Sequence, residues 1–483
     1  MLVRPAKLPI SEASPFAADK LDRFQSAERL TLLLERVKPP FVLAIDAKYG
    51  NGKTTFIQMW RKYLTRKGFQ SLYFNAWEAD FTSDPLIAFI GEMDTEITRV
   101  LSTLKPSPKL RTSWKQVKKM GAYLAKRAIP VGVKIATAGS LDLDKFTEQS
   151  LATLAADIAK DQIEKYDTTK NRIKEFQVRL GEFIKSLNPS KTSPAFPLVF
   201  FVDELDRCRP PYAIELLERI KHFFGIEEII FVLAVDKSQL FSSIRSVYGG
   251  DIDVDGYLRR FIDLEYRFPP PKTDNYNYYA YLASQFWIID LLTKIGFQDA
   301  SRMVDTIVRT FKGLADIFGL SLRVQEQCFA TLSVILITAK LGSTHPPLLI
   351  ALLALQAGDS NFYTAFLSGK KSVKDVLNFI RDFPNGSAFM AESEGSLFEV
   401  FLLTSRIHKD PSVKELIDSY KLQTSSPKTP TDPPSPAYIR AEYILSRLTH
   451  DAFQSDTVAQ AARSIAFAED FTAPMPPTGV RVS

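Results

Sequence analysis

The sequence predicts an α/β fold with a mainly parallel sheet followed by a helical region, and three observations carry this expectation. Wholly apolar runs at 41–45, 197–202 and 229–235 alternate with stretches of helical periodicity, as strands covered on both faces do. The first run passes through a short glycine-containing loop directly into the helix-like 54–64. Beyond Pro269, Pro270 and Pro271 the strand signals stop and helical spacing dominates.

In chain order, 16–37 reads as a helix with Leu21, Phe24, Leu30, Leu33 and Leu34 on its apolar face, ended by Pro39 and Pro40. Strand 41–45, the loop and helix 54–64 follow. Next come a strand at 71–74 and a helix over 84–101, spaced by Ile87, Ile90, Met93 and Ile97. Residues 98–195 are a basic and helical insertion, with a long charged helical stretch over 146–187. The strands at 197–202 and 229–235 and a half-apolar one at 263–268 complete a first domain, 1–270. An all-α domain is expected over 271–424 and a Pro/Ser-rich linker or loop (SSPKTPTDPPSP) over 425–438. A helical segment with a loose tail follows over 439–483.

At 483 residues, 45% of them hydrophobic, the chain has an ordinary globular composition and room for about two to four domains. Cys208 and Cys328 are its only cysteines, and four scattered histidines show no ligand spacing. A disulfide framework and a zinc pattern are thereby excluded, and a reducing, cytoplasmic compartment is expected. No signal-like apolar core opens the sequence, and no uncharged stretch reaches the roughly 18–20 residues of a spanning helix. The apolar stretches 329–339 and 347–355 are expected as buried helices.

The net charge of +6 is unevenly placed. Between 97 and 141 stand Arg99, Lys105, Lys109, Arg111, Lys115, Lys118, Lys119, Lys126, Arg127 and Lys134, without one acid, so the remainder of the chain is net acidic. Such a segment is expected to meet an anion. The candidates are nucleic-acid phosphate, an anionic membrane surface on which the mildly apolar 120–141 would lie, and the chain's own acidic remainder.

Residues 47–54 (AKYGNGKT) have the layout of a phosphate-binding loop, GxxxxGK[ST]. Backbone N–H groups wrap the phosphates in such a loop, and glycine allows the dihedrals and the close approach this needs. Lys53 would bring a positive charge to the β- and γ-phosphates, and Thr54 a hydroxyl to magnesium. Ala47, Tyr49, Gly50, Asn51, Gly52, Lys53, Thr54 and Thr55 are the candidate nucleotide-binding residues. Ala47 stands where the pattern has its first glycine, which a methyl group permits only at negative φ.

The apolar run through Val202 ends in Asp203 and Glu204. Nucleotide hydrolysis needs one carboxylate to position magnesium and a neighbour to polarise the attacking water. Asp203 suits the metal role and Glu204 the base role, provided their strand adjoins the strand of the phosphate loop.

FNAWEAD (74–80), FFVDELDRCRP (200–210), FVLAVDKSQL (231–240) and YLRRFIDLEYRFP (257–269), in this order, resemble the KAP family of P-loop NTPases. The loop is similar to that family's G-x-W-G-x-G-K-[ST] form, with Ala47 for Gly and Tyr49 for Trp. Over about residues 16–270 the resemblance implies a core of the additional-strand catalytic-Glu type, with ATP and Mg2+ as ligands. It also implies a bacterial or mobile-element setting in which some members exclude phage, and assembly as a homo-oligomer or with partner proteins is expected. Two departures stand out. Glu204 replaces the family's second Asp, which favours hydrolysis. The basic insertion occupies the place where many members carry transmembrane helices, so no span is expected.

By the same resemblance Asp236, ending the strand at 229–235, would sense the γ-phosphate; a solvated strand-end acid is the alternative. Arg259 and Arg260 stand where oligomeric ATPases carry arginine fingers, with a solvated face as the alternative. Ser321 would cap a helix and aim Arg323 at the nucleotide. Asp206 and Arg207 would reach a neighbouring subunit or form an internal salt bridge. Trp77 is expected to pack beside the sheet rather than touch adenine. Three functions fit these residues: an ATPase driving conformational change, a nucleotide-gated switch recruiting partners through 271–483, and a basic anion-binding surface regulated by the core.

Overall fold

The computed structural model describes residues 8–82, 84–104, 107–127, 170–187, 196–221, 223, 225–269, 276–340, 344–406, 410–425, 435–450 and 457–470. The chain divides into two compact units. One comprises 9–19 and 23–270, the other 271–483 with 1–8 and 20–22.

The first unit is organised by five parallel strands, β1 (Phe41–Asp46), β2 (Ser71–Asn75), β3 (Leu198–Asp203), β4 (Ile229–Val235) and β5 (Leu264–Arg267), in the order β2-β3-β4-β1-β5. Alternation along the central strands divides their side chains between two cores. Val199 and Phe201 of β3, with Ile230 and Val232 of β4, pack with α1 (Phe24–Arg36) and α2 (Lys53–Arg66) through Leu34, Phe56 and Trp60. Phe200, Val202, Phe231 and Leu233 point the other way. They join a core built from α3 (Pro85–Leu104), α4 (Pro108–Arg127), α5 (170–187), α6 (Pro210–Ile220), α7 (Lys237–Tyr248) and α8 (Val254–Leu258). Burial on both faces is why these strands read as unbroken apolar runs.

One expectation needs correcting, and one proviso is not met. The helix expected over 16–37 begins only at Phe24, because Asp22 takes φ +54° and the Asp19 carboxylate accepts from the N–H groups of Arg23 (2.6 Å) and Phe24 (3.1 Å). The strand of the acidic pair does not adjoin the strand of the phosphate loop, since β4 lies between β1 and β3. Of the charged stretch 146–187, residues 146–169 lie outside the described residues, as do the tail from 471 and linker residues 426–434.

In the second unit, every regular element among the described residues is a helix. The apolar stretches become the helices Leu322–Thr338 and Pro346–Gly358, the latter buried along its length from Pro346 to Leu355. A wholly buried Glu399 accepts from Tyr420 Oη and from Arg440 Nη2, which gives its charge the partner burial demands. Among the described residues no helix is long and apolar enough to cross a membrane.

Candidate nucleotide site

β1 delivers the chain into a loop that folds back on itself. Gly50 (φ +81°) and Gly52 (φ +77°) supply its left-handed turns, a conformation costly for any residue with a Cβ. Ala47 has no positive φ, and its methyl is buried in the core under the sheet, which explains how the loop accepts alanine there. Asn51 N–H donates to Lys48 O (3.3 Å), and Lys53 Nζ donates to Ala47 O. α2 opens at Lys53 behind Gly52, which offers no side-chain cap. The first-turn N–H groups of α2 and the positive end of its dipole are thus available to an anion.

Asp203 and Glu204 stand at the end of β3. Asp203 is wholly buried; its Oδ2 accepts from Tyr73 Oη (2.9 Å) and its Oδ1 from Glu204 N–H (2.9 Å). Burial pushes its pKa up to about 6, and Tyr73 and the Thr54 hydroxyl partly offset this by stabilising the charged form. Thr54 and Asp203 therefore meet across the intervening β4. Glu204 takes φ +60° as the strand ends. Its Oε1 pairs with Arg207 Nη1 at 2.6 Å, and its Oε2 accepts from Asn75 Nδ2 at 3.3 Å. The Arg207 guanidinium lies over the Tyr49 ring of the phosphate loop (4.5 Å) and near Trp77 (5.8 Å). Asp206 is raised by burial, which the charge of Lys53 opposes, and its Oδ1 is buried without a hydrogen-bond partner among the described residues.

This donor set fits magnesium. Thr54 and Asp203 offer hard oxygen ligands, and the buried Asp203 carboxylate makes no ion pair among the described residues. Among the described residues no three His, Cys, Asp or Glu side chains cluster as a metal site, so phosphate oxygens and water would complete the shell.

The profile of the KAP family P-loop domain matches residues 23–288, more than half of the chain. This chain belongs to the KAP family. Membership implies nucleotide binding and hydrolysis, usually with Mg2+. No curated protein matches the chain.

Other residues of the KAP domain take places the sequence did not disclose. Asp236 is buried, not solvated. One oxygen accepts from Tyr49 N–H in the phosphate loop (2.8 Å), the other from Ser238 N–H (3.1 Å) and Oγ (2.6 Å). It thus ties the loop to the start of α7. Arg207 forms the internal ion pair described above. Trp77 is half exposed and does not pack into the sheet, contrary to expectation; the neighbouring Ala76 and Ala79 are the buried residues. Arg259 and Arg260 are exposed between α8 and β5, and no described interaction ties either to the phosphate loop. Arg323 sits in the first turn of a helix of the second unit, whose N-cap Ser321 accepts from Val324 N–H (3.5 Å).

Tyr73 and Asn75 were missed. They share one face of β2, where Asn75 is in register with Asp203. The polar alternation Ser71, Tyr73, Asn75 was the available signal. Tyr73 is itself fixed: its N–H donates to Glu96 Oε2 (3.2 Å), and Arg61, paired with Glu96, lies over its ring at 4.9 Å.

Proposed function

We propose that this KAP chain is an ATPase of the additional-strand catalytic-Glu type. The observation that carries the reading is the meeting of Thr54, from the phosphate loop, with Asp203 beside Glu204 while β4 stands between their strands. Lys53 turns from Ala47 O to the β- and γ-phosphates, and the N–H groups at the start of α2 hold their oxygens. Thr54 and Asp203 would hold Mg2+, which would neutralise charge on the phosphate oxygens. Glu204 accepts the proton of the attacking water as its oxygen bonds the γ-phosphorus and ADP departs. Asp236 keeps the loop in register and senses its occupation through Tyr49. Arg259 or Arg260 serves a neighbouring copy, and Arg323 carries the nucleotide state into an all-α domain beyond residue 270, coupling hydrolysis to conformational change. A role in excluding phage rests on the family setting and on no residue of this chain.

The ion pair between Glu204 and Arg207 favours a second reading, a nucleotide-gated switch with slow hydrolysis, since that pair must loosen before Glu204 can take a proton. Lys53→Ala tests what both readings share. It is expected to weaken ATP binding at least tenfold by calorimetry and leave the melting temperature unchanged, whereas unchanged affinity refutes the phosphate-site assignment.

A further inference from the structure

Of the ten basic residues between 97 and 141, two are answered within the chain: Lys118 pairs with Asp94 at 2.9 Å and Arg99 with Glu96 at 3.1 Å. The side chains of Lys105, Lys126, Arg127 and Lys134 lie outside the described residues. The remaining four, Lys109, Arg111, Lys115 and Lys119, are exposed on α4, and none makes an ion pair or hydrogen bond with a described residue. Arg111, Lys115 and Lys119 follow one another at four-residue steps, about 6 Å of helix axis each. Like charges so spaced repel, and α4 contains no acid to offset them.

The opposite face of α4 is fully used. Trp114, Val117, Gly121 and Leu124 are buried, with the Trp114 ring 5.1 Å from that of Phe183. A Cβ on Gly121 would come within 3.0 Å of Ile90 and 3.3 Å of Phe176, so the helix is packed as closely as glycine allows. At 3.6 residues per turn, these four cations centre on the side directly away from this seam.

We propose that this face of α4 docks on the phosphate backbone of a nucleic acid. A helix that lies on a lipid surface inserts an apolar face, and that of α4 is already spent inside the protein. Among the described side chains, none of the large exposed apolar ones lies on α4. A nucleic acid asks only for cations, since a duplex carries one charge per ~1.7 Å of axis, and contacts to it alone are indifferent to sequence.

The test uses the full chain and a variant, Lys109→Gln/Arg111→Gln/Lys115→Gln/Lys119→Gln. Binding of a labelled 20-base-pair DNA duplex, a 20-mer DNA strand and a 20-mer RNA is followed by fluorescence anisotropy between 50 and 300 mM KCl. Vesicles of phosphatidylserine and phosphatidylcholine are assayed in parallel by sedimentation. The wild type should bind at least one of the three nucleic acids, and the variant should bind it about 10²–10³-fold more weakly at 100 mM salt. The slope of log K against log salt should become shallower by roughly 3, about 0.7–0.9 for each lost phosphate contact. Absence of nucleic-acid binding at 50 mM salt overturns the proposal, as does a variant with an unchanged slope. Vesicle binding lost in the variant, with no nucleic acid bound, assigns the surface to membranes and equally overturns it. ATP affinity of both proteins shows that the variant is folded. Its absence in the wild type would refute the ATPase reading and leave this one standing.

Discussion

Replacing Asp203 by Asn removes a buried negative charge while keeping the shape and the hydrogen bonds around it. The amide oxygen can accept from Glu204 N–H, and the amide nitrogen can donate to the hydroxyls of Tyr73 and Thr54. The Asp203 pKa is raised in the folded chain from 3.8 to about 6, so the charged form folds less readily than the protonated one. At roughly 1.4 kcal/mol per unit, the charge costs the nucleotide-free protein about 3 kcal/mol at neutral pH. The sign fixes the pH window. Below 3.8 the cost is absent, it grows as pH rises from 3.8 to about 6, and above that it is complete. Asp203→Asn should therefore be more stable than wild type at pH 7.5 without nucleotide or metal. The melting temperature should rise by roughly 6–12 °C, at about 2–4 °C per kcal/mol for a unit of this size. Tryptophan fluorescence reports the transition, since Trp60 and Trp114 are buried in this unit. The advantage should shrink to less than about 1 kcal/mol at pH 4. A variant no more stable than wild type at pH 7.5, or an advantage independent of pH, refutes the reasoning.

Tyr73→Phe deletes the phenol that donates to Asp203 and should cost roughly 1.5–3 kcal/mol at pH 7.5, the range for a hydrogen bond to a charged group. In the Asp203→Asn background the cost should fall by at least half; equal costs in both would show that Tyr73 acts elsewhere. For the arginines between α8 and β5, Arg259→Ala/Arg260→Ala protein mixed with Lys53→Ala protein should recover part of the ATP turnover that each lacks alone. No recovery, with a monomer by light scattering in the presence of ATP, removes their action across an interface.

What was legible in the sequence was local. Gly50, Gly52, Lys53 and Thr54 stand out because the pattern of a phosphate-binding loop admits few residue types, and β3 and β4 do so because burial on both faces leaves only apolar side chains. Strand order was not legible, because which strand lies beside β1 depends on contacts far apart in the chain. That is why the place of the Asp203 strand relative to β1 entered the sequence reading only as a proviso, which the intervening β4 does not meet. Trp77 misled for a related reason: a tryptophan after a strand reads as packing, yet here the small Ala76 and Ala79 are the buried residues and Trp77 is half exposed. Tyr73 escaped notice because a tyrosine in a strand is ordinary until its hydroxyl is known to meet a buried carboxylate two residues further along the neighbouring strand. The helix expected from residue 16 was overextended, because apolar spacing alone does not register the left-handed Asp22.

The measurement that bears most directly on the central claim is steady-state ATP turnover of the purified chain beside Glu204→Gln, with Mg2+-ATP affinity measured on both. The glutamine retains the shape of the side chain and can still meet Arg207 and Asn75, but it cannot take a proton from water. Wild type should hydrolyse ATP, and the variant should bind it with comparable affinity while turning over roughly 10²–10⁴-fold more slowly. Turnover near that of wild type in Glu204→Gln, or no hydrolysis by a wild-type chain that binds Mg2+-ATP, would contradict the account.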